Sequence, residues 1–467
     1  MQKSLLFFLF LAAFGCMQAP AYSRPRPISL DPENPHYFLY HGKPVVLITS
    51  GEHYGAVINL DFDYNIYLNT LKSDGLNLTR TFSGAYVESS TSFNITHNTL
   101  APASDRFICP WQRVSDRQSY KFDLSKWDPA YFRRLRQFVA AARKHGVIVE
   151  FTLFCPFYEE EQWNLSPLNE RNNINGVGKV ARTDVYTLDK SGKLLAIQEA
   201  MVRKIVTELK SFDNVMYEIC NEPYFGGVTL EWQRHMAEVI AETEGKGQGQ
   251  HLITQNISNG AKKITDPFPM VSVFNFHYAS PPDAVAQNYG LNKVIGNNET
   301  GFKGNKDATY RTQGWHFILA GGGLFNNLDY SFTAGEERGT YQYPSTQPGG
   351  GSAALRKQLG FLKDFMDHFD FIRMHPDTGF IKSGLPPKAD FHALAEPGKQ
   401  YALYLTGASG SRVEAALPAG IYKATWIDPQ TNAVISKETV TAGASPTWLN
   451  IPSSGEDIAL RLLRSGK

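Results

Sequence analysis

The segment NVMYEICNEP at residues 214–223 joins an apolar run to a polar tripeptide that contains Glu222. Short apolar runs of this kind are typical of strands that are covered on both faces of a parallel sheet. A similar run, KVIGNN at residues 293–298, leads directly into Glu299. Each run predicts a strand that ends beside a glutamate, so the fold depends on how these two strands are arranged.

Strand-like and helix-like segments alternate over residues 44–384. Eight strand-then-helix units in roughly 300 residues predict a (β/α)8 barrel rather than an open doubly wound sheet. No G-x-G-x-x-G loop follows any of the strands, which argues against a nucleotide-binding sheet and gives no reason to expect a cofactor. The predicted strands are residues 44–50, 77–82, 147–154, 214–220, 252–257, 271–277, 293–298 and 317–325.

The pattern changes after about residue 385, where short strand candidates alternate with turn residues and no helical period is present. This pattern predicts a small β-sandwich over residues 385–467. Residues 22–43 contain a predicted hairpin that leads into the first barrel strand. The strand candidates of the sandwich are residues 401–405, 413–417, 422–427, 433–440, 448–451 and 458–463.

Residues 1–21 resemble a secretory signal peptide, with an apolar run from Leu5 to Phe14 and a small-x-small cleavage site at residues 19–21. The alternative is a bacterial lipoprotein signal in which Cys16 carries the lipid. Ala13 favours simple cleavage, because lipoprotein signals prefer leucine at that position. We therefore expect a secreted or periplasmic bacterial protein. No later segment is long and apolar enough to span a membrane.

Composition and cysteine content narrow the classes of partner and site. A net charge of +1 gives no reason to expect nucleic acid as a partner, and 42% hydrophobic residues indicate a globular protein. Besides Cys16 the chain has Cys109, Cys155 and Cys220. Cys155 and Cys220 could pair or stay as buried thiols, and no short cysteine spacing suggests a zinc site. The oligomeric state stays open.

The two glutamates follow the fourth and seventh predicted strands, so both side chains should face the same mouth of the barrel. Two carboxyl groups in that position suit the hydrolysis of a glycosidic bond, in which one protonates the leaving oxygen and the other attacks the sugar carbon. Glu218 lies earlier on the same strand as Glu222, and we expect it to be a structural acid deeper in the barrel.

Asn221-Glu222-Pro223 at the fourth strand, together with Glu299 at the seventh, resembles the clan-A retaining glycoside hydrolases. The pattern is similar to those of cellulase family 5 and of the secreted bacterial apiosidase-like proteins. Asp428-Pro429 after Trp426 is similar to the collagen-binding-type β-domain that often follows such barrels. The resemblance implies an O-glycosyl hydrolase that cleaves poly- or oligosaccharides by double displacement, with Glu222 as acid/base, Glu299 as nucleophile, and no metal.

The resemblance also implies roles for residues around the pair. Arg80 on the second strand would hold Glu299 ionised, although a structural ion pair is an alternative. His277 and Tyr278 would contact the nucleophile or the substrate, and Asn221 would bind the sugar 2-hydroxyl. The sequence departs from the family at the end of the third strand, where Leu153-Phe154-Cys155 replaces the usual histidine.

Other polar and aromatic residues lie where they could contact substrate or merely support loops. Glu52 and His53 follow the first strand, and Asn326, Asn327 and Asp329 follow the eighth. Two long loops, residues 83–127 and 156–191, leave the same face of the barrel, and Trp163 on the second could stack on a sugar.

A second function class stays open: a non-catalytic carbohydrate-binding or adhesion protein on a glycosidase-like barrel. A degenerate barrel commonly loses one catalytic carboxylate, and here both are present, which favours the enzyme. A zinc enzyme is less favoured still, because no His/Asp/Glu spacing typical of a metal site stands out in the sequence.

Overall fold

A computed structural model describes residues 26–114, 120–245 and 249–466. The predicted signal peptide and its alternative at Cys16 lie outside these ranges. Eight parallel strands form the barrel, and they pair in the order β1-β8-β7-β6-β5-β4-β3-β2. The strands are β1 (Leu47–Gly51), β2 (Leu78–Phe82), β3 (Ile148–Phe154), β4 (Val215–Cys220), β5 (Leu252–Asn259), β6 (Val271–His277), β7 (Val294–Thr300) and β8 (Leu324–Leu328).

The barrel is closed between β1 and β2 by a side chain rather than by a strand ladder. The Asn77 side-chain amide donates to the Val46 carbonyl at 2.8 Å, and its oxygen accepts from the Ile48 N–H at 2.9 Å. The Asn77 backbone N–H also donates to the Ile48 carbonyl at 3.2 Å. One asparagine therefore satisfies the backbone groups that a regular ladder would otherwise pair.

Helices cover the outside of the barrel, and their ends follow the expected chemistry. Asp128 caps the second helix by accepting from the backbone N–H groups of Ala130 and Tyr131, and Gly146 ends it with φ +72°. The helices are α1 (Tyr64–Ser73), α2 (Pro129–His145), α3 (Glu160–Leu165), α4 (Leu194–Leu209), α5 (Leu230–Glu244), α6 (Asp283–Asn288), α7 (Asp307–Leu319) and α8 (Ala353–Asp367). Short 3-10 helices are Ser92–Asn94, Glu170–Asn172, Arg182–Asp184, Tyr289–Leu291 and Phe371–Arg373.

Two details differ from the predicted pattern of eight strand-then-helix units. No helix connects β5 to β6, because residues 260–270 include Pro267 and Pro269, each of which removes a backbone donor that a helix needs. The eighth strand begins at Leu324, whereas the predicted segment 317–325 starts inside α7. A short apolar run such as Phe317–Leu319 cannot be assigned to strand or buried helix by periodicity alone.

A three-stranded sheet covers the N-terminal end of the barrel, opposite the mouth that carries the glutamates. Its strands are Ser29–Leu30, Phe38–Tyr40 and Lys43–Val45. Ile28 and Phe38 are buried in one apolar cluster with one residue from each barrel strand. This cluster seals the bottom of the barrel, so any substrate has to enter from the other end. The strand residues are Leu47, Leu78, Ile148, Met216, Leu252, Val273, Val294 and Leu324.

The predicted C-terminal β-sandwich is confirmed, and its sheets begin at His375, before the predicted boundary at residue 385. A six-stranded antiparallel sheet pairs in the order His375–Pro376, Asp390–Glu396, Gln400–Thr406, Asp457–Arg464, Gly420–Ile427 and Val434–Ala442. A three-stranded sheet pairs in the order Ile381–Ser383, Arg412–Ala415 and Thr447–Asn450. A separate hairpin, Trp111–Arg113 with Phe122–Trp127, lies in the loop after β2.

The sandwich packs against α7 through a buried ion pair and stacked rings. The guanidinium of Arg311 donates to both carboxylate oxygens of Asp457, at 2.9 and 3.0 Å. The Tyr404 hydroxyl donates to the same carboxylate at 2.6 Å, and its ring stacks on Trp315 with centroids 5.2 Å apart. The two domains therefore share one continuous core. Among the described residues, no helix is long and apolar enough to cross a membrane.

Candidate active site

Glu222 and Glu299 meet at the C-terminal mouth of the barrel, in a cavity of about 340 Å³. Glu222 follows β4 directly, and Glu299 is the last residue but one of β7. One oxygen of each carboxyl group and a ring nitrogen of His277 lie within 4.8 Å of one another. Both glutamates are more than nine-tenths buried, yet both line the cavity. The sequence prediction that the two side chains share one mouth agrees with this arrangement.

The Glu299 carboxylate is held by three donors. The hydroxyl of Tyr54 donates to Oε2 at 2.8 Å, the hydroxyl of Tyr278 donates to Oε1 at 2.7 Å, and Nη1 of Arg80 donates to Oε2 at 3.2 Å. Burial alone would raise the pKa of Glu299, but the charges of His277 and Arg80 and the Tyr278 hydrogen bond hold it well below its usual range. Glu299 is therefore an anion at neutral pH.

The Glu222 carboxyl group lies among two tyrosines and a histidine. Nδ1 of His277 is 3.0 Å from Oε1, the hydroxyl of Tyr158 is 2.7 Å from Oε2, and the hydroxyl of Tyr224 is 3.1 Å from Oε1. Tyr224 also donates to Oδ1 of Asn259 at 2.5 Å. A tyrosine has a single hydroxyl hydrogen, so when Tyr224 donates it in a hydrogen bond to Asn259, its oxygen is free to accept a hydrogen bond from a protonated Glu222.

His277 links the two glutamates from below and is completely buried. Its Nδ1 lies 3.0 Å from Glu222 and 3.4 Å from Oε1 of Glu299. Burial lowers the pKa of His277, but the charges and hydrogen bonds of Glu299 and Glu222 outweigh burial and raise it to about 9. The imidazole is therefore protonated at neutral pH, and its positive charge is shared by both carboxyl groups.

Arg80 makes the contacts that both of the roles considered from the sequence require. Its Nε and Nη2 donate to Oε2 of Glu218 at 2.9 and 2.6 Å, so it forms a structural ion pair inside the barrel. Its Nη2 also donates to Oδ1 of Asn221 at 2.6 Å, and its Nη1 reaches Glu299. A guanidinium has a planar set of donors that can hold several acceptors at fixed angles. Arg80 therefore links the buried Glu218 to Asn221 and Glu299, which line the cavity.

Three residues of the site have backbone conformations that side-chain-bearing residues rarely adopt. Tyr54, Glu222 and Tyr278 have φ of +61°, +34° and +50°. Non-glycine residues with positive φ are uncommon, and conformations of this kind typically cost of order 1 kcal/mol or more. All three side chains hydrogen-bond within the carboxyl cluster, so the fold maintains backbone strain at the point where it places these groups.

Of Glu52 and His53, the two residues after β1 that were expected to contact substrate, His53 lines the cavity. Its Nε2 lies 3.2 Å from Oε2 of Glu88, while its buried Nδ1 has no partner among the described residues. Glu88 also lines the cavity and accepts from Tyr86 at 3.0 Å and from Asn98 at 2.5 Å. No pattern in the sequence pointed to Glu88, because it lies in an irregular loop.

Four of the residues considered for substrate contact after the first and eighth strands lie outside the cavity lining. Glu52 accepts from the backbone N–H groups of the following turn and from Thr99 at 2.5 Å, so it fixes a loop. Asn327 donates to Ser50, and Asp329 forms a buried ion pair with Arg356 of α8 at 2.8 Å. Asn326, which was considered with them, donates to the Asn298 carbonyl. These side chains are buried and hydrogen-bonded within the protein, although Oδ1 of Asn326 and Oδ1 of Asn327 have no partner among the described residues. Because they lie away from the cavity, their assignment to substrate is corrected to a structural role.

Trp163 is also corrected, because its side chain is only 3% exposed and packs against Phe157 with ring centroids 4.8 Å apart. The exposed aromatic rings at the cavity are instead Phe93 and Phe225, which are 39% and 42% exposed. Phe93 comes from the long loop after β2 and Phe225 from the turn after Glu222. Their sequence context does not distinguish them from ordinary loop residues.

The departure from the family pattern at the end of β3 has a structural counterpart. Cys155 lines the cavity, and the Tyr158 hydroxyl lies between its sulfur, at 3.8 Å, and Glu222, at 2.7 Å. Tyr158 therefore contributes the polar group on this side of Glu222. Cys109, Cys155 and Cys220 are all buried free thiols, so the pairing considered for the last two is absent.

The sequence profile of the cellulase family, glycosyl hydrolase family 5, matches residues 70–327, which is more than half of the chain. No match was found among curated proteins. A glycoside hydrolase from Bacteroides vulgatus is similar in structure, with a TM-score of 0.67 at 14% identity over 94% of this chain and 82% of that chain.

A family 5 glycoside hydrolase from the same organism gives a TM-score of 0.62 at 13% identity, over 94% of each chain. An endo-1,4-beta-mannanase from Rhizomucor miehei gives 0.50 at 14% identity, over 73% of this chain and 100% of that chain. At these identities the likeness is one of fold. The apiosidase-like and collagen-binding-type resemblances stay predictions. The profile match, which spans the strands from β2 to β8 and both glutamates, shows that the chain is an O-glycosyl hydrolase of glycosyl hydrolase family 5.

Proposed function

We propose that this enzyme is a secreted bacterial glycosidase that cleaves poly- or oligosaccharides with retention of anomeric configuration. The observation that carries the proposal is the approach of the Glu222 and Glu299 carboxyl oxygens to within 4.8 Å. Retaining enzymes hold their two carboxyl groups roughly 5–5.5 Å apart, whereas inverting enzymes need roughly 6.5–9.5 Å to admit a water molecule. The short separation favours direct attack by one of the glutamates.

Glu299 is the nucleophile in this proposal, because it is the carboxyl group held as an anion. Arg80 and His277 supply positive charge, and Tyr54 and Tyr278 fix the carboxylate oxygens. In the first step an oxygen of Glu299 attacks the anomeric carbon and forms a covalent glycosyl ester while the bond to the leaving oxygen breaks. The negative charge of Glu299 is consumed in this step.

Glu222 is the acid in the first step and the base in the second. Because Tyr224 donates its proton to Asn259, a protonated Glu222 has an acceptor that orients it within the cavity. Glu222 gives this proton to the leaving oxygen and becomes a carboxylate. In the second step it removes a proton from the water that attacks the anomeric carbon, which releases the sugar and restores Glu299.

Substrate contacts follow from the polar and aromatic groups that face the cavity. Asn221 is oriented by Arg80 and by its own donation to Tyr158 at 2.9 Å, which suits it to bind the sugar 2-hydroxyl. The unpartnered Nδ1 of His53 can bind a second hydroxyl. Phe93 and Phe225 offer exposed rings on which the apolar face of a sugar can stack.

A panel of polysaccharides and aryl glycosides tests the proposal, with Glu222→Gln and Glu299→Ala as site variants and Glu231→Gln, on the exposed side of α5, as the matched control. We expect the wild type and the control to cleave at least one member. Loss of acid catalysis should slow Glu222→Gln by about 10²–10⁴-fold. This loss should be smaller for aryl glycosides whose leaving groups need little protonation.

The stereochemistry of the first-formed product is the second test. Nuclear magnetic resonance should show the anomer of the substrate before mutarotation, and an inverted anomer would exclude double displacement. Full activity in Glu299→Ala would mean that another residue is the nucleophile. Binding of a polysaccharide by a wild type that cleaves nothing would favour the carbohydrate-binding alternative.

The proposal of export rests on the pattern of residues 1–21. Mass spectrometry of the protein purified from its own host or a related bacterium should give a mature N-terminus at Tyr22. A lipid-modified Cys16 at the N-terminus would support the lipoprotein alternative, and an intact Met1 in the native host would contradict export through this segment.

A further inference from the structure

The junction between the barrel and the C-terminal sandwich brings together two histidines and an aspartate from separate parts of the chain. His316 lies near the end of α7, and Asp390 and His392 lie on the strand Asp390–Glu396. Nδ1 of His316 is 2.8 Å from Nδ1 of His392. One ring nitrogen of each histidine and one carboxylate oxygen of Asp390 lie within 4.8 Å of one another.

We propose that His316, His392 and Asp390 form a binding site for a divalent transition-metal ion, with Zn²⁺ as the best match. Imidazole nitrogens and a carboxylate oxygen are established zinc ligands, and three protein ligands with one water complete a four-coordinate site. The metal would link α7 of the catalytic barrel to the C-terminal sheet. The site is separate from the glutamate cluster and independent of the proposed reaction.

The charge around the two histidines suits a cation. The carboxylates of Asp390 and Asp283 both lie close enough to act on His392, so the junction offers negative charge to a bound ion. The glutamate cluster differs, because protonated His277 and nearby Arg80 already supply it with positive charge.

A second contact of His316 is compatible with the tautomer that metal binding needs. Its Nε2 lies 3.4 Å from the Thr406 hydroxyl, so an N–H on Nε2 can donate to that oxygen and leave the Nδ1 lone pair directed at the site. Metal-bound histidines generally donate their second N–H to such a partner, which orients the ring. Asp390 uses Oδ1 to accept from the Phe391 N–H at 2.8 Å and keeps its other oxygen for the ion.

The geometry requires only a small adjustment on binding. In a tetrahedral site with Zn–N bonds of about 2.0–2.1 Å, two ligand nitrogens are about 3.3 Å apart. The two Nδ1 atoms would have to separate by about 0.5 Å from their present 2.8 Å, which a slight ring rotation provides. A cavity of about 500 Å³ is lined by His392 and Asp283, so one ligand of the site is open to an ion from this cavity.

A calorimetric titration tests the site: Zn²⁺ is added at pH 7.5 to the full-length enzyme after treatment with a chelator. We expect one ion per chain in the micromolar range or tighter, and at least about 100-fold weaker binding in His316→Gln and in His392→Gln. His375→Gln is the matched control, because His375 lines the same cavity outside the cluster. Co²⁺ in place of Zn²⁺ should show the visible absorption of a tetrahedral nitrogen and oxygen site.

A metal that joins the two domains should raise the melting temperature of the wild type and should not change the melting temperatures of the two histidine variants. No binding at micromolar Zn²⁺ would mean that the two imidazoles form only an N–H···N hydrogen bond, and would overturn the proposal. Binding that survives in both histidine variants and is lost in Glu299→Gln would place the ion at the glutamates and overturn it equally. The first outcome would leave the glycosidase proposal unaffected, because it concerns the domain junction alone.

Discussion

Replacing His277 with glutamine removes one positive charge from between Glu222 and Glu299 while keeping a hydrogen-bond donor of similar reach. The wild-type pKa of His277 is raised from 6.5 to about 9. At about 1.4 kcal/mol per pKa unit, this rise corresponds to roughly 3 kcal/mol of favourable interaction between the imidazolium and its surroundings. The side chain is completely buried, so solvent screens little of that interaction.

The sign of the effect follows from proton linkage. Since the folded pKa lies above the unfolded value, the native state binds more protons between pH 6.5 and pH 9. The contribution of His277 to stability is therefore fully present below pH 6.5 and is lost as the pH rises through 9. His277→Gln lacks this contribution at every pH.

Equilibrium unfolding in urea from pH 6 to pH 10 measures the difference. We expect the gap in unfolding free energy between the wild type and His277→Gln to shrink by roughly 3 kcal/mol across this range. His368→Gln, at an exposed histidine after α8, is the control and should parallel the wild type. If the His277→Gln curve is also parallel to the wild type, His277 is not the shared cation described above.

The same variant makes a kinetic prediction. Glu299 loses a positive neighbour, so its pKa should rise and the acidic limb of kcat/KM should move to higher pH. The loss of charge-assisted hydrogen bonds, at about 1.5–3 kcal/mol, should lower kcat/KM by about 10–100-fold. An unchanged acidic limb would show that Arg80 alone keeps Glu299 ionised.

Three single substitutions test other contacts. Tyr278→Phe removes the 2.7 Å hydrogen bond to Glu299 and should lower kcat/KM by about 10–100-fold with an unchanged circular dichroism spectrum; equal activity would remove Tyr278 from the site. Phe225→Ala removes an exposed ring and should raise KM by about tenfold with little change in kcat, which steady-state kinetics checks. Arg311→Met leaves the buried Asp457 carboxylate without its cation and should lower the free energy of unfolding in urea by about 3–5 kcal/mol. A decrease below about 1 kcal/mol would contradict a buried interface.

Much of the fold and the central pair of the site could be predicted because they depend on local patterns. Apolar strand segments with polar ends are visible along the chain, and parallel strands in a barrel bring their C-terminal ends to one mouth. That reasoning located Glu222 and Glu299, and the family resemblance then implied that Arg80 and Tyr278 lie beside Glu299. It was less reliable for Phe317–Leu319, where a short apolar run fits a helix as well as a strand.

The roles of residues in loops could not be predicted from these local patterns. Tyr54 and Glu52 are two residues apart after β1, yet Tyr54 reaches Glu299 while Glu52 fixes a turn. The positive φ of Tyr54 turns its side chain toward the cavity, and no periodicity encodes such a conformation. Trp163 shows the converse, because an aromatic residue on a functional loop can be buried by its neighbours.

The sequence by itself determined the barrel, the sandwich that follows it and the two glutamates, because strand periodicity and residue chemistry are local properties of the chain. Only the tertiary structure decided which tyrosines hold those glutamates, that His277 is shared between them, and that His316 meets His392 across a domain junction. These contacts join residues far apart in sequence, and their distances depend on how loops and domains pack. The physical reason is that local propensity determines where helices and strands form, whereas the packing of residues distant in sequence determines pKa values and the geometry of a ligand site.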